Sequence, residues 1–107
     1  MPVSYVQSLD QFQEIIQQDS YSVFMFSASW AGPSKHLSPV FQSFSNHEAW
    51  GHVQFFDVDM DEQPDIVQEA GVSNPPTFVV FNGGQRIAAW TGSAPASLEQ
   101  FLNRIPQ

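Results

Sequence analysis

The run Tyr21-Ser22-Val23-Phe24-Met25-Phe26-Ser27-Ala28 constrains this chain more than any other segment. Its apolar core, Val23 to Phe26, is too short for a free-standing helix and has no polar face, which is the pattern of a central strand buried on both sides. A strand of that kind needs cover above and below the sheet, so the fold has to be layered. The strand then delivers the chain directly into the loop Ser29-Trp30-Ala31-Gly32-Pro33-Ser34-Lys35.

The other elements follow from local signals. Val3 to Val6 reads as a short edge strand, and Ser8 with Gln11 three residues on forms a capping box for a helix to about Gln18. After Pro33, Leu37, Val40, Phe41 and Phe44 recur at helical spacing, with Pro39 expected to kink the helix. His52 to Val58 reads as a strand, Gln63 to Ala70 as a helix ended by Gly71, and Thr77 to Phe81 as a further strand. Asn82-Gly83-Gly84 predicts a hairpin turn into Arg86 to Thr91, and Leu98, Phe101, Leu102 and Ile105 mark one face of a last helix. Strands that alternate with helices and close in a hairpin predict a three-layer α/β domain with a mixed sheet, spanning residues 1–107 as one unit.

Composition narrows the function classes. Three basic residues, Lys35, Arg86 and Arg104, stand against eleven acidic ones for a net charge of −8, so nucleic acid and anionic membranes are excluded as partners by repulsion. No apolar run approaches the roughly 20 residues of a spanning helix and no signal-like N-terminus is present, which predicts a cytoplasmic protein. The chain has no cysteine.

The loop Trp30-Ala31-Gly32-Pro33-Ser34-Lys35 resembles the thioredoxin motif Trp-Cys-Gly-Pro-Cys-Lys with both sulfurs removed. Pro76-Thr77-Phe78, the Gly83-Gly84 turn and Gly92 also fall where that family has them, so the resemblance covers essentially the whole chain. It implies the thioredoxin fold, with about five strands flanked by four helices. Ala31 and Ser34 then occupy the positions of the two redox thiols. A methyl group and a hydroxyl can neither attack a disulfide nor resolve a mixed one, so the chain as written is not a dithiol oxidoreductase.

Two further positions depart from the family pattern. The resemblance places a buried aspartate, active in proton transfer, where this chain has Met25, and a thioether cannot exchange a proton. It also places a backbone that pairs with substrate peptide at position 75, directly before the family's cis-proline, Pro76; Pro75 can accept a hydrogen bond there but not donate one. Engineers removing cysteines have no reason to alter Met25 or Pro75, which favours a redox-inactive member that docks a protein or peptide. The rim expected to receive it is Trp30, Gly32, Pro33, Pro75, Pro76 and Gly92. The alternative is a protein-disulfide reductase whose cysteines were replaced by engineering and whose electrons come from a thioredoxin reductase. A third reading uses the same patch for a homodimer.

Other clusters carry less. Asp57-Val58-Asp59-Met60-Asp61 has the spacing of a calcium loop, but Glu62 stands where the turn glycine belongs and Gln68 where the bidentate glutamate belongs. His36, His47 and His52 lack the spacing of a zinc cluster. Ser34 and His36, two residues apart on a helix, point roughly 200° from each other and cannot form a nucleophile–base pair. No metal or cofactor is expected.

Overall fold

The computed structural model describes residues 3–106. Its strands are β1 (Val3–Tyr5), β2 (Tyr21–Ser27), β3 (Val53–Asp59), β4 (Thr77–Asn82) and β5 (Gln85–Thr91). Its α-helices are α1 (Leu9–Ile16), α2 (Gly32–Ser45), α3 (Pro64–Ala70) and α4 (Pro95–Leu102). The strands form one sheet in the order β1-β3-β2-β4-β5, parallel between β1, β3 and β2 and antiparallel across β2-β4 and β4-β5.

The double-sided apolar run of β2 lies at the centre, as its composition requires. Val23 and Met25 enter a core with Leu37 and Phe41 of α2 and Leu98, Phe101 and Leu102 of α4. Phe24 and Phe26 enter a second core with Phe12 and Ile15 of α1 and Ile66 and Ala70 of α3. Alternate side chains of one strand thus anchor both helical layers. In the second core the Phe12 and Phe81 rings meet the Phe24 ring edge-on at 5.0 and 5.7 Å, geometry that adds to simple area burial.

Local signals placed the caps. Ser8 Oγ accepts the Gln11 amide at 3.1 Å, while Gln11 Oε1 reaches back to the amide of Gln7, one residue before the cap. Gly71 ends α3 with φ 70°, a left-handed conformation suited to glycine. Helix α1 stops at Ile16, two residues short of the expected Gln18, for a tertiary reason. The turn amides of Gly83 and Gly84 donate to the carbonyls of Gln18 and Ile16 at 3.0 and 2.7 Å, so the β4-β5 hairpin satisfies carbonyls left free at the end of the helix and fixes the path of the chain there. Helix α2 continues through Pro39 to Ser45. A single 3-10 turn at Glu48–Trp50, not expected from the sequence, carries Trp50 into the α2/α4 core.

Candidate functional site

Four connections meet at one end of the sheet because of its pairing. Strands β2 and β3 are parallel, so both end there, at Ser27 and Asp59. The register Phe26↔Thr77 starts β4 at the same edge, and Thr77↔Thr91 finishes β5 beside it. The loop carrying Trp30, the turn after β3, the Pro75-Pro76 segment and Gly92 are therefore neighbours in the fold although they span more than half the sequence.

Each connection is pinned. Thr77 Oγ1 donates to the Asn74 carbonyl and accepts from Thr91 Oγ1 at 2.8 Å, which ties the segment before β4 to the end of β5. The Pro75-Pro76 peptide bond is cis. The Met60 amide donates to the Ser27 carbonyl at 2.8 Å and joins the turn after β3 to the end of β2. Trp30 Nε1 donates to Asp61 Oδ2 at 2.9 Å, and Asp59 Oδ1 in turn accepts the amides of Asp61 and Glu62 at 2.9 and 3.2 Å. The three aspartates of the calcium-like spacing thus have separate tasks, since Asp57 bonds Ser27 instead.

The expected rim residues differ in exposure. Trp30 is 69% exposed, the most exposed large apolar side chain described, and Gly32 and Pro33 are exposed beside it in sequence. Pro75 is half-buried. Pro76 is buried and offers little surface to a partner, because β4 begins immediately after it inside the sheet. Gly92 is half-buried for a packing reason: a Cβ there would lie 2.5 Å from Cζ2 of the Trp90 indole.

Both thiol-equivalent positions are closed. Ala31 is buried and caps α2 without any side-chain hydrogen bond. Ser34 is buried, with Oγ accepting the Ala28 amide at 3.3 Å, whereas His36 is exposed, so the hydroxyl has no base at hand. Among the described residues no group of three or more His, Asp or Glu side chains is placed to hold a metal ion. His52 Nε2 bonds the Pro106 carbonyl at 2.8 Å and ties the C-terminal segment to the start of β3.

Asp57 is the feature the sequence did not reveal. It is the register partner of Met25 on the neighbouring strand, it is 5% exposed, and its Oδ1 accepts from Ser27 Oγ at 2.7 Å. Burial pushes its carboxyl above the usual aspartate range; the Ser27 hydrogen bond opposes the shift and the nearby Asp59 charge adds to it. A crevice of about 180 Å³ behind the motif loop is lined by Asp57, Ser34, Ser38, Lys35 and Tyr5 among others. Lys35 thus lines the Asp57 crevice. Beside the thioether of Met25, the next strand thus carries a buried ionisable group.

A central mixed sheet with two helices on each face, a Trp-x-Gly-Pro loop opening α2 and a proline-led strand beside it together define a thioredoxin-fold protein. The thioredoxin family model matches residues 3–104, and the chain belongs to that family. It is 41% identical over 102 residues to a thioredoxin of Malassezia sympodialis, covering 95% of this chain and 97% of the relative. The crystal structure of the Malassezia sympodialis thioredoxin superposes with a TM-score of 0.91 at 39% identity, over 97% of this chain and 93% of that one. Human thioredoxin is 35% identical over 105 residues, 96% of this chain and 98% of its own length.

Proposed function

We propose that this chain is a redox-inactive docking module that binds an extended segment of a partner protein on the Trp30, Pro33 and Pro75 surface. The observation that carries it is Trp30 itself: a large indole left 69% exposed yet fixed in orientation by its bond to Asp61. An exposed aromatic that is already ordered loses little conformational entropy on binding, the property that makes tryptophan frequent at the energetic centre of interfaces. Exchange chemistry at the family positions is unavailable to the chain itself, which has no cysteine. Selection of peptides from a random displayed library tests the reading. Binders should lose about 30-fold in affinity on Trp30→Ala, as for an interface anchor. Peptides that bind the variant equally well, or a library that yields none, would show that the surface is not a docking site.

Two observations favour the alternative, a reductase whose cysteines were replaced. The backbone is nearly superposable on a thioredoxin, and a buried carboxyl remains at Asp57. Ala31→Cys with Ser34→Cys, assayed by insulin-disulfide reduction with a dithiol donor, separates the two. Rapid turnover establishes a disarmed reductase, and negligible turnover by the folded double variant supports the docking module.

A further inference from the structure

The Trp30 surface has an unusual balance of donors and acceptors. Pro33 and Pro75 have no N–H, and the indole N–H of Trp30 is already given to Asp61. The donors left beside them are backbone amides, among them those of Gly32 and Ser34 in the first turn of α2, while the side chains of Trp30, Pro33 and Pro75 present apolar surface and no free donor. Asp61 keeps a second carboxylate oxygen beyond the one that holds the indole, and Glu62 follows it, exposed. Among the described residues, the hydrogen bonds to Asp59 and Asp61 come from backbone amides and the indole, never from a basic side chain. Lys35, the nearest cation in sequence, lines the crevice with Asp57. The whole chain carries −8, so the long-range field has the same sign as the local one.

We propose that the Trp30 face receives a cationic side chain, arginine before lysine, from an extended segment of the partner protein. The Asp61 bond fixes the indole and presents its ring face to solvent, and a guanidinium laid on that face is attracted by the ring quadrupole. Its in-plane N–H groups then reach the free oxygen of Asp61 and the Glu62 carboxylate, supplying the donors that the side chains of the surface lack. Lysine satisfies the charge but neither stacks nor forks. An acidic side chain meets carboxylates and has the first-turn amides and dipole of α2 in its favour. This inference rests on the Trp30 surface being the docking site.

The test uses the heptapeptide acetyl-Gly-Ser-Val-Xaa-Val-Ser-Gly-amide with Xaa arginine, glutamine or glutamate, titrated into the full chain while the Trp30 indole N–H resonance is followed. The arginine peptide should bind about tenfold more tightly than the glutamine peptide, combining one exposed cation–π contact with one surface ion pair. The glutamate peptide should bind more weakly than both. About 1 M sodium chloride, with a screening length near 3 Å, should erase most of the arginine advantage. Asp61→Asn keeps an acceptor for the indole and removes the charge, so it should cut that advantage to about threefold or less. Equal binding of the arginine and glutamine peptides, tighter binding of the glutamate peptide, an advantage unmoved by Asp61→Asn, or no shift of Trp30 by any peptide would overturn the inference. The library selection against Trp30→Ala judges the docking site independently, so selected peptides that need Trp30 but carry no basic residue would sink this inference and leave the docking reading standing.

Discussion

Gly92→Ala should destabilise the fold through Trp90. The added Cβ would sit 2.5, 3.0 and 3.1 Å from Cζ2, Cε2 and Cη2 of the indole. Comfortable carbon–carbon contact begins near 3.5 Å, so the ring has to retreat by about 1 Å. It has little room, because the ring centroids of Phe78 and Phe101 lie 5.6 and 6.3 Å away, tilted by 31° and 27° to the indole plane, and both residues are buried. Overpacking against a held side chain costs about 1–3 kcal/mol. Urea unfolding followed by far-UV circular dichroism measures that loss, and a second background assigns it. Trp90→Phe removes the outer ring that the Cβ would strike, so Gly92→Ala made in that background should cost less than in the parent by more than the roughly 0.5 kcal/mol within which uncoupled sites add. Equal losses in the two backgrounds would refute the argument and return Gly92 to a backbone or ligand role.

Three further outcomes are expected. Asp57→Asn should be more stable than the parent at neutral pH: the raised carboxyl makes the native state bind the proton more tightly than the unfolded chain, so parent stability falls as pH rises from about 3.9 through the native value, and the difference between the two chains should vanish below that window in pH-dependent urea unfolding. Ser22→Ala should gain about 1 kcal/mol in the same assay, since the buried Ser22 hydroxyl has no partner in the structure; a loss would mean that the hydroxyl is satisfied in solution. Asp61→Ala should leave stability within about 0.5 kcal/mol, as for exposed contacts, while speeding exchange of the Trp30 indole proton with solvent, which one-dimensional NMR reads directly. Unchanged exchange would show that the indole is not held by Asp61.

The site was legible in part. Trp30, Gly32 and Pro33 were visible because a run of seven residues carries them, and the burial of Ala31 and Ser34 follows from the same turn entering α2. The sequence pattern puts Pro76 and Gly92 with the same rim but does not carry their degree of burial, which depends on what packs from β4 and on the indole of Trp90. Asp61 and Asp57 attracted notice only as a metal-like spacing. Their partners are Trp30 and Ser27, 31 and 30 residues earlier, and no local pattern encodes a contact at that range.

The sequence by itself determined the element order, the double-sided burial of β2, the Ser8 cap, the Gly71 stop and the glycine turn at Gly83-Gly84, because each is a matter of side-chain period or backbone freedom within a few residues. It also determined that no thiol chemistry can originate in this chain. Only the tertiary structure decided that β3 lies between β1 and β2, that α1 yields its last carbonyls to a hairpin, and that an aspartate from the next strand stands beside Met25. Those outcomes depend on which strands pair and in what register, a choice made by the burial of both helical layers at once, and one that no short stretch of the chain contains.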